Sequence, residues 1–94
     1  MNDYEVKVVK VLGEFIWHDH ANTDEFFLVL DGQLILRLID GEVVLNPGEL
    51  YVVPRGEKHC PFASQETQVL LIEPRETVNT GDVVDKLTAF GERI

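Results

Sequence analysis

His18-Asp19-His20-Ala21-Asn22-Thr23-Asp24-Glu25-Phe26-Phe27-Leu28-Val29-Leu30-Asp31-Gly32 is the stretch on which the reading of this chain turns. It joins a His-x-His pair, a polar loop, a glutamate opening a six-residue run rich in apolar side chains, and an Asp-Gly tight turn. Side chains two apart on a strand point to one face, so His18 and His20 share a face. Glu25 stands across the loop, and its strand can run antiparallel to theirs. The remaining histidine of the 3 in the chain, His59, lies on a later strand behind the Pro54-Arg55-Gly56 turn. Imidazole and carboxylate donors together suit Fe, Mn, Ni, Cu, Co or Zn. A single histidine on an apolar strand is ordinarily a hydrogen-bonded core or surface group; all of them on spacings that suit one ion point to a metal centre.

Outward from this stretch, nearly every segment reads as a short strand bounded by turn signals. These are 5–12, 14–20, 25–30, Leu34 to Ile39, 43–45, 50–53, 59–62 and 69–72, broken by Asp31-Gly32, Asp40-Gly41, Asn46-Pro47-Gly48 and Pro74. No 3.6-residue period appears before residue 75, so the expected class is all-β, an antiparallel sandwich or barrel. From Glu76 the chain is polar and turn-rich, with a weak helical pattern over Asp82–Ala89. The strands at 26–30 and 69–72 are apolar on both faces. One face fills a core. The other is covered by a second subunit, giving a homodimer, or by the second sheet of the same sandwich.

The 94 residues make one domain, and 45% hydrophobic content is ample for a single core. A net charge of −9, from 17 acidic and 8 basic residues without a basic cluster, argues against nucleic-acid binding and against anionic membrane surfaces. No apolar run approaches the ~20 residues that span a bilayer. Cys60 is the only cysteine, which points to a reducing, cytoplasmic setting. It adjoins His59 and so faces away from it on a strand, as a small buried residue and not a ligand.

The paired segments resemble the two motifs of the cupin superfamily, small β-barrels with a metal at the centre. Gly13, His18-Asp19-His20, Glu25 and Gly32 match the first; Gly48, Pro54, Gly56 and His59 match the second. Four residues, not the family's usual five, separate Gly13 from His18, and Ala63 replaces the closing Asn of the second motif. The matches cover about residues 13–63, and the stretch from Leu71 to Asp82 looks like one group of small cupins, some of which carry a longer N-terminal segment.

The resemblance implies an antiparallel double-stranded β-helix (jelly roll) with its barrel core over about 5–74 and a C-terminal extension over 75–94. It implies one divalent transition metal ion on His18, His20, Glu25 and His59, with one or two coordination positions left for a small-molecule ligand. Phe27, Val29, Leu36 and Tyr51 are expected to line the pocket, although Tyr51 equally suits sheet packing. Phe15 and Trp17 fall on the strand face opposite the histidine pair, as packing or interface residues. Arg37, Arg55 and Lys58 are the nearest candidates to hold a substrate anion, each otherwise a solvated surface group. Catalytic residues beyond the metal ligands are not identified. The expected function is a metal-dependent enzyme, dioxygenase-like before isomerase-like; the alternative is a non-catalytic binding or sensing module.

Overall fold

The computed structural model describes residues 1–75 and the backbone of 88–93. Among these residues every regular element is a strand: β1 Tyr4–Glu14, β2 Glu25–Asp31, β3 Leu34–Leu38, β4 Gly41–Leu45, β5 Leu50–Val53, β6 His59–Pro74 and β7 Thr88–Arg93. All pairings are antiparallel, in the order β4-β3-β6-β1-β7, with β2 on β6 and β5 on β2. The sheet curls into a β-barrel jelly roll, the all-β class that the strand pattern indicated and the fold that the family resemblance implied.

Two expected strands, 59–62 and 69–72, are one sixteen-residue strand. The polar Ser64-Gln65-Glu66 between them does not turn the chain. It forms an irregularity where three β6 residues stand against Leu12 alone, between the Val11–Thr67 and Gly13–Ala63 pairs. There β6 changes partner, from β3 over His59–Phe62 to β2 over Gln68–Ile72. A second difference lies at 14–20. Beyond Glu14 only a bridge between His18 and His59 remains, with Phe15 N–H donating to Pro61 O. Of the helical pattern at Asp82–Ala89, residues 82–87 lie outside the described residues, while Thr88 and Ala89 open β7 on the edge of β1.

The core follows strand alternation. Phe27, Val29, Leu34, Leu36, Leu45, Val53, Ala63 and Val69 are buried, with Val9, Val11, Val43, Tyr51 and Leu71 packed against them. The opposite parity makes the outer surface. Val6, Ile72, Phe26 and Val52 form one cross-strand row there, and Val8, Leu70, Leu28 and Leu50 the next. Leu50 and Val52 are 53% and 42% exposed, so part of this apolar face has no cover from the described residues.

Candidate metal centre

Backbone hydrogen bonds place the side chains of the candidate centre, which come from the 15–20 segment, β2 and β6. His18 and His59 exchange both backbone hydrogen bonds, N–H to O, at 3.0 and 2.9 Å. Gly56 N–H donates to His20 O at 2.8 Å, and Gly56 holds a φ of +81°, a conformation a Cβ would penalise. Asp24 Oδ1 accepts from Arg55 N–H at 2.9 Å and closes the same turn. Glu25 opens β2 opposite Val53. The histidine pair thus converges without the regular strand its spacing suggested; hydrogen bonds to β6 and to the Pro54–Gly56 turn hold it.

The structure brings all four expected donors together, with one ligand atom from each within 4.8 Å of the others. Glu25 Oε1 lies 2.8 Å from His59 Nε2, 3.3 Å from His20 Nε2 and 3.8 Å from His18 Nε2. Adjacent donors at 2.0–2.2 Å from a common ion stand roughly 3–4 Å apart, and the distances from Glu25 Oε1, 2.8 to 3.8 Å, are close to that range. The outer nitrogens decide the tautomers. A carbonyl can only accept, so His18 Nδ1–H donates to Ile16 O at 2.9 Å and His59 Nδ1–H to Glu57 O at 2.8 Å. In the neutral rings Nε2 then carries the lone pair and aims it at the centre, the arrangement that orients metal-binding imidazoles. The donor set fits a divalent transition ion. The edge of Phe15 packs on the His18 ring (4.9 Å) and Phe27 on that of His59 (6.2 Å). Phe15 meets His18, contrary to the alternation argument, because residues 15–20 are not regularly pleated.

Burial pushes the Glu25 carboxyl up, but the His18, His20 and His59 rings around it, which favour its anionic form most when they carry a second proton, outweigh that and hold the group well below its ordinary value. The Glu25 hydrogen bond raises His20 against the opposing effect of burial, with smaller help from the Glu73 charge. The signs give a pH prediction for chelator-treated protein. The raised His20 contributes stability below its unfolded value, lost as pH rises through its folded value; the lowered Glu25 contributes above its unfolded value, lost as pH falls through its folded one. Melting temperature should therefore decline on the alkaline side, and a divalent ion should reverse that decline, since metal ligation requires neutral imidazole. Melting curves against pH with and without the ion check this; parallel curves would contradict it.

Val29 and Leu36 are fully buried, Phe27 is nearly so, and Tyr51 packs half-buried against the core. Trp17 is exposed. The three candidate anion anchors are all exposed at least in part. Arg37 pairs with Glu14 and covers the Phe62 ring at 4.8 Å, and Arg55 and Lys58 are exposed. Cys60 is buried, which raises its thiol pKa, and its Sγ lies 3.6 Å from Phe15 O. The sequence argument missed an interior charged group: Lys7 Nζ is 2.6 Å from a Glu73 carboxylate oxygen and 3.9 Å from one of Glu5. Lys7 has the parity of Val9 and Val11, and Glu73 that of Val69 and Leu71, a signal readable once those valines are assigned inward.

The family model described as "Cupin domain" matches residues 6–75. The chain is a cupin. It is 32% identical over 77 residues to the uncharacterized protein YdbB of Bacillus subtilis, covering 81% of this chain and 68% of that one. Over 74 residues it is 34% identical to a 3-hydroxyanthranilate 3,4-dioxygenase of Jannaschia, spanning 73% of this cupin but only 41% of the dioxygenase. The crystal structure of a cupin-2 domain protein from Shewanella frigidimarina superposes with a TM-score of 0.78 at 51% identity, covering 80% of this chain and 74% of that one.

Proposed function

We propose that this cupin is a metal-dependent enzyme acting on a small molecule in the barrel interior, with oxygenase chemistry ahead of isomerase chemistry. The observation that carries the proposal is the convergence of three imidazole Nε2 atoms on Glu25 while two Nδ1–H groups are tied to backbone carbonyls. A redox-active ion held there would supply oxidation chemistry with dioxygen, and a redox-inert one Lewis acidity. The chain's own part is to fix two ring orientations through Ile16 O and Glu57 O and to lower the ion's net charge through Glu25. Phe15 and Phe27 restrict water around the rings. As a ligand, Glu25 is not free to serve as a general base. The dioxygenase name of one relative supports the oxygenase branch.

The test is protein loaded in turn with Fe(II), Mn(II), Ni(II), Cu(II), Co(II) and Zn(II), checked for one ion per chain. Oxygen uptake is then followed with hydroxylated aromatic acids, including 3-hydroxyanthranilate, and carbonyl substrates are assayed for isomerisation. One loading is expected to turn over. Silence across all of them, with stoichiometric metal, would favour the second reading, a non-catalytic binding or sensing module. The complete burial of Val29 and Leu36, which fill the interior, supports that reading.

The homodimer belongs to the same proposal. The outer rows Val6–Ile72–Phe26–Val52 and Val8–Leu70–Leu28–Leu50 form an apolar face of the kind that pairs with a second copy. Sedimentation at micromolar concentration should show a dimer, and Leu50→Glu with Val52→Glu should give monomers. A monomeric wild type would reject the dimer. The acidic composition and the single buried cysteine support the remaining expectations: a cytoplasmic setting, with neither nucleic acid nor membrane as partner.

A further inference from the structure

Among the residues whose side chains are described, 1–75, Lys7 is a cation placed on the inward-facing parity of β1, that of Val9 and Val11. In register Lys7 opposes Leu71, which opposes Phe27, which opposes Tyr51. The next row begins Glu5–Glu73, and Glu25 continues it one step beyond the Phe26–Ile72 pair. Directly opposed residues of an antiparallel pair share a face, so Glu73 and Glu25 are interior neighbours, one holding Lys7 and the other facing the histidines. The Glu73 side chain is 4% exposed and that of Lys7 18%.

A desolvated ion pair of this kind is a poor source of stability compared with apolar residues in its place. It also leaves donor capacity. An ammonium carries three N–H groups; Glu73 takes one at 2.6 Å, and the Glu5 oxygen at 3.9 Å is beyond hydrogen-bond reach. Lys7 and Glu25 stand on the two strands that flank β6, two strand spacings across and two residues along, about 12 Å apart at the backbone, a gap that the lysine side chain shortens to the length of a small organic acid.

The geometry points to Lys7 as the distal anchor of the ligand, donating to a carboxyl or carbonyl oxygen at one end of a small molecule whose other end meets the metal centre. Glu73 is a positioning residue that holds the ammonium in place. The ligand class is then a short compound with oxygen at both ends. This inference rests on the metal-centre reading proposed above.

The experiment uses full-length protein loaded with Co(II), its stoichiometry measured first by elemental analysis. Succinate, its monoamide and butanoate are titrated by calorimetry and by the cobalt visible spectrum. Succinate and the monoamide, which share a distal acceptor, should bind roughly tenfold or more tighter than butanoate, as fits a hydrogen bond to a charged donor. Lys7→Met should erase that preference and keep the cobalt content, and Lys7→Arg should restore part of it. Should Lys7→Met fold poorly with the Glu73 charge no longer balanced by Lys7, Lys7→Met with Glu73→Gln removes both charges and reads the same preference. Equal binding of succinate and butanoate, a preference that survives the Lys7 variants, or no binding of these acids to cobalt-loaded protein would each overturn the assignment. A wild type that takes up no cobalt strikes the metal-centre reading instead, and the succinate preference is then read by calorimetry on that protein.

Discussion

His59→Ala is expected to lose its metal and, with it, the stabilisation that metal brings. The side chain is 1% exposed, its Nδ1–H is bound to Glu57 O, and its Nε2 is the nitrogen nearest Glu25, so no neighbouring imidazole can take its place. An ion at a hundred times its Kd stabilises the folded state by about 2.7 kcal/mol. In a domain of this size that raises Tm by roughly 10–20 °C. Wild-type protein should show that rise with its preferred divalent ion, and His59→Ala should show little of it, with metal content well below one per chain. Elemental analysis and melting curves on the two proteins, with and without ion, check both statements. An unchanged stoichiometry in the variant would remove His59 from the centre.

Gly32→Ala should be the most damaging single-methyl change in the barrel. Gly32 holds a φ of +91°, and a Cβ there would stand 2.5 Å from Thr67 Oγ1, 2.9 Å from Thr67 Cα and 3.0 Å from Glu66 O. Two of those atoms are backbone, so a rotamer change cannot relieve the crowding. Thr67 is itself fully buried, its Oγ1 accepting from Gln33 N–H at 3.1 Å and lying 3.0 Å from Gln33 O and 2.9 Å from Gln65 O. Overpacking and left-handed strain together should cost about 3 kcal/mol, a fall in Tm of roughly 10–20 °C. Gly48→Ala separates the two contributions. That position has a similar φ of +86° with nothing within 4 Å of the added carbon, and strain alone should cost about 1 kcal/mol. Adding Thr67→Ala to Gly32→Ala removes the crowding by the hydroxyl but leaves that by the backbone, so less than half the loss should return. Equal losses at 32 and 48 in thermal melts would refute the steric argument.

The all-β class was legible because alternation and paired Asp-Gly turns act locally, within a few residues. The four donors were legible because their spacing could be matched residue by residue. What was not legible depends on register between distant strands. Ser64-Gln65-Glu66 has turn composition, and only pairing with β1 on one side and a change of partner on the other shows it to be an irregularity inside β6. Nothing beside Lys7 or Glu73 in the sequence marks either as interior; that they meet inside the barrel follows from the pairing of Tyr4 with Pro74 and of each residue inward from there. Phe15 was misassigned for a related reason, since parity holds only where the chain is regularly pleated.

The β1–β6 pairing also fixes a sequence of events during synthesis. β1 meets the whole of its β6 partner only after residue 74 has been made, because Tyr4 opposes Pro74. Contacts of such long range make folding slow relative to helical domains of equal size, on the millisecond-to-second scale. Throughout that wait a valine-rich segment stands unpaired. Lys7 and Lys10 interrupt it, the kind of charge that keeps a nascent strand from joining a neighbouring chain.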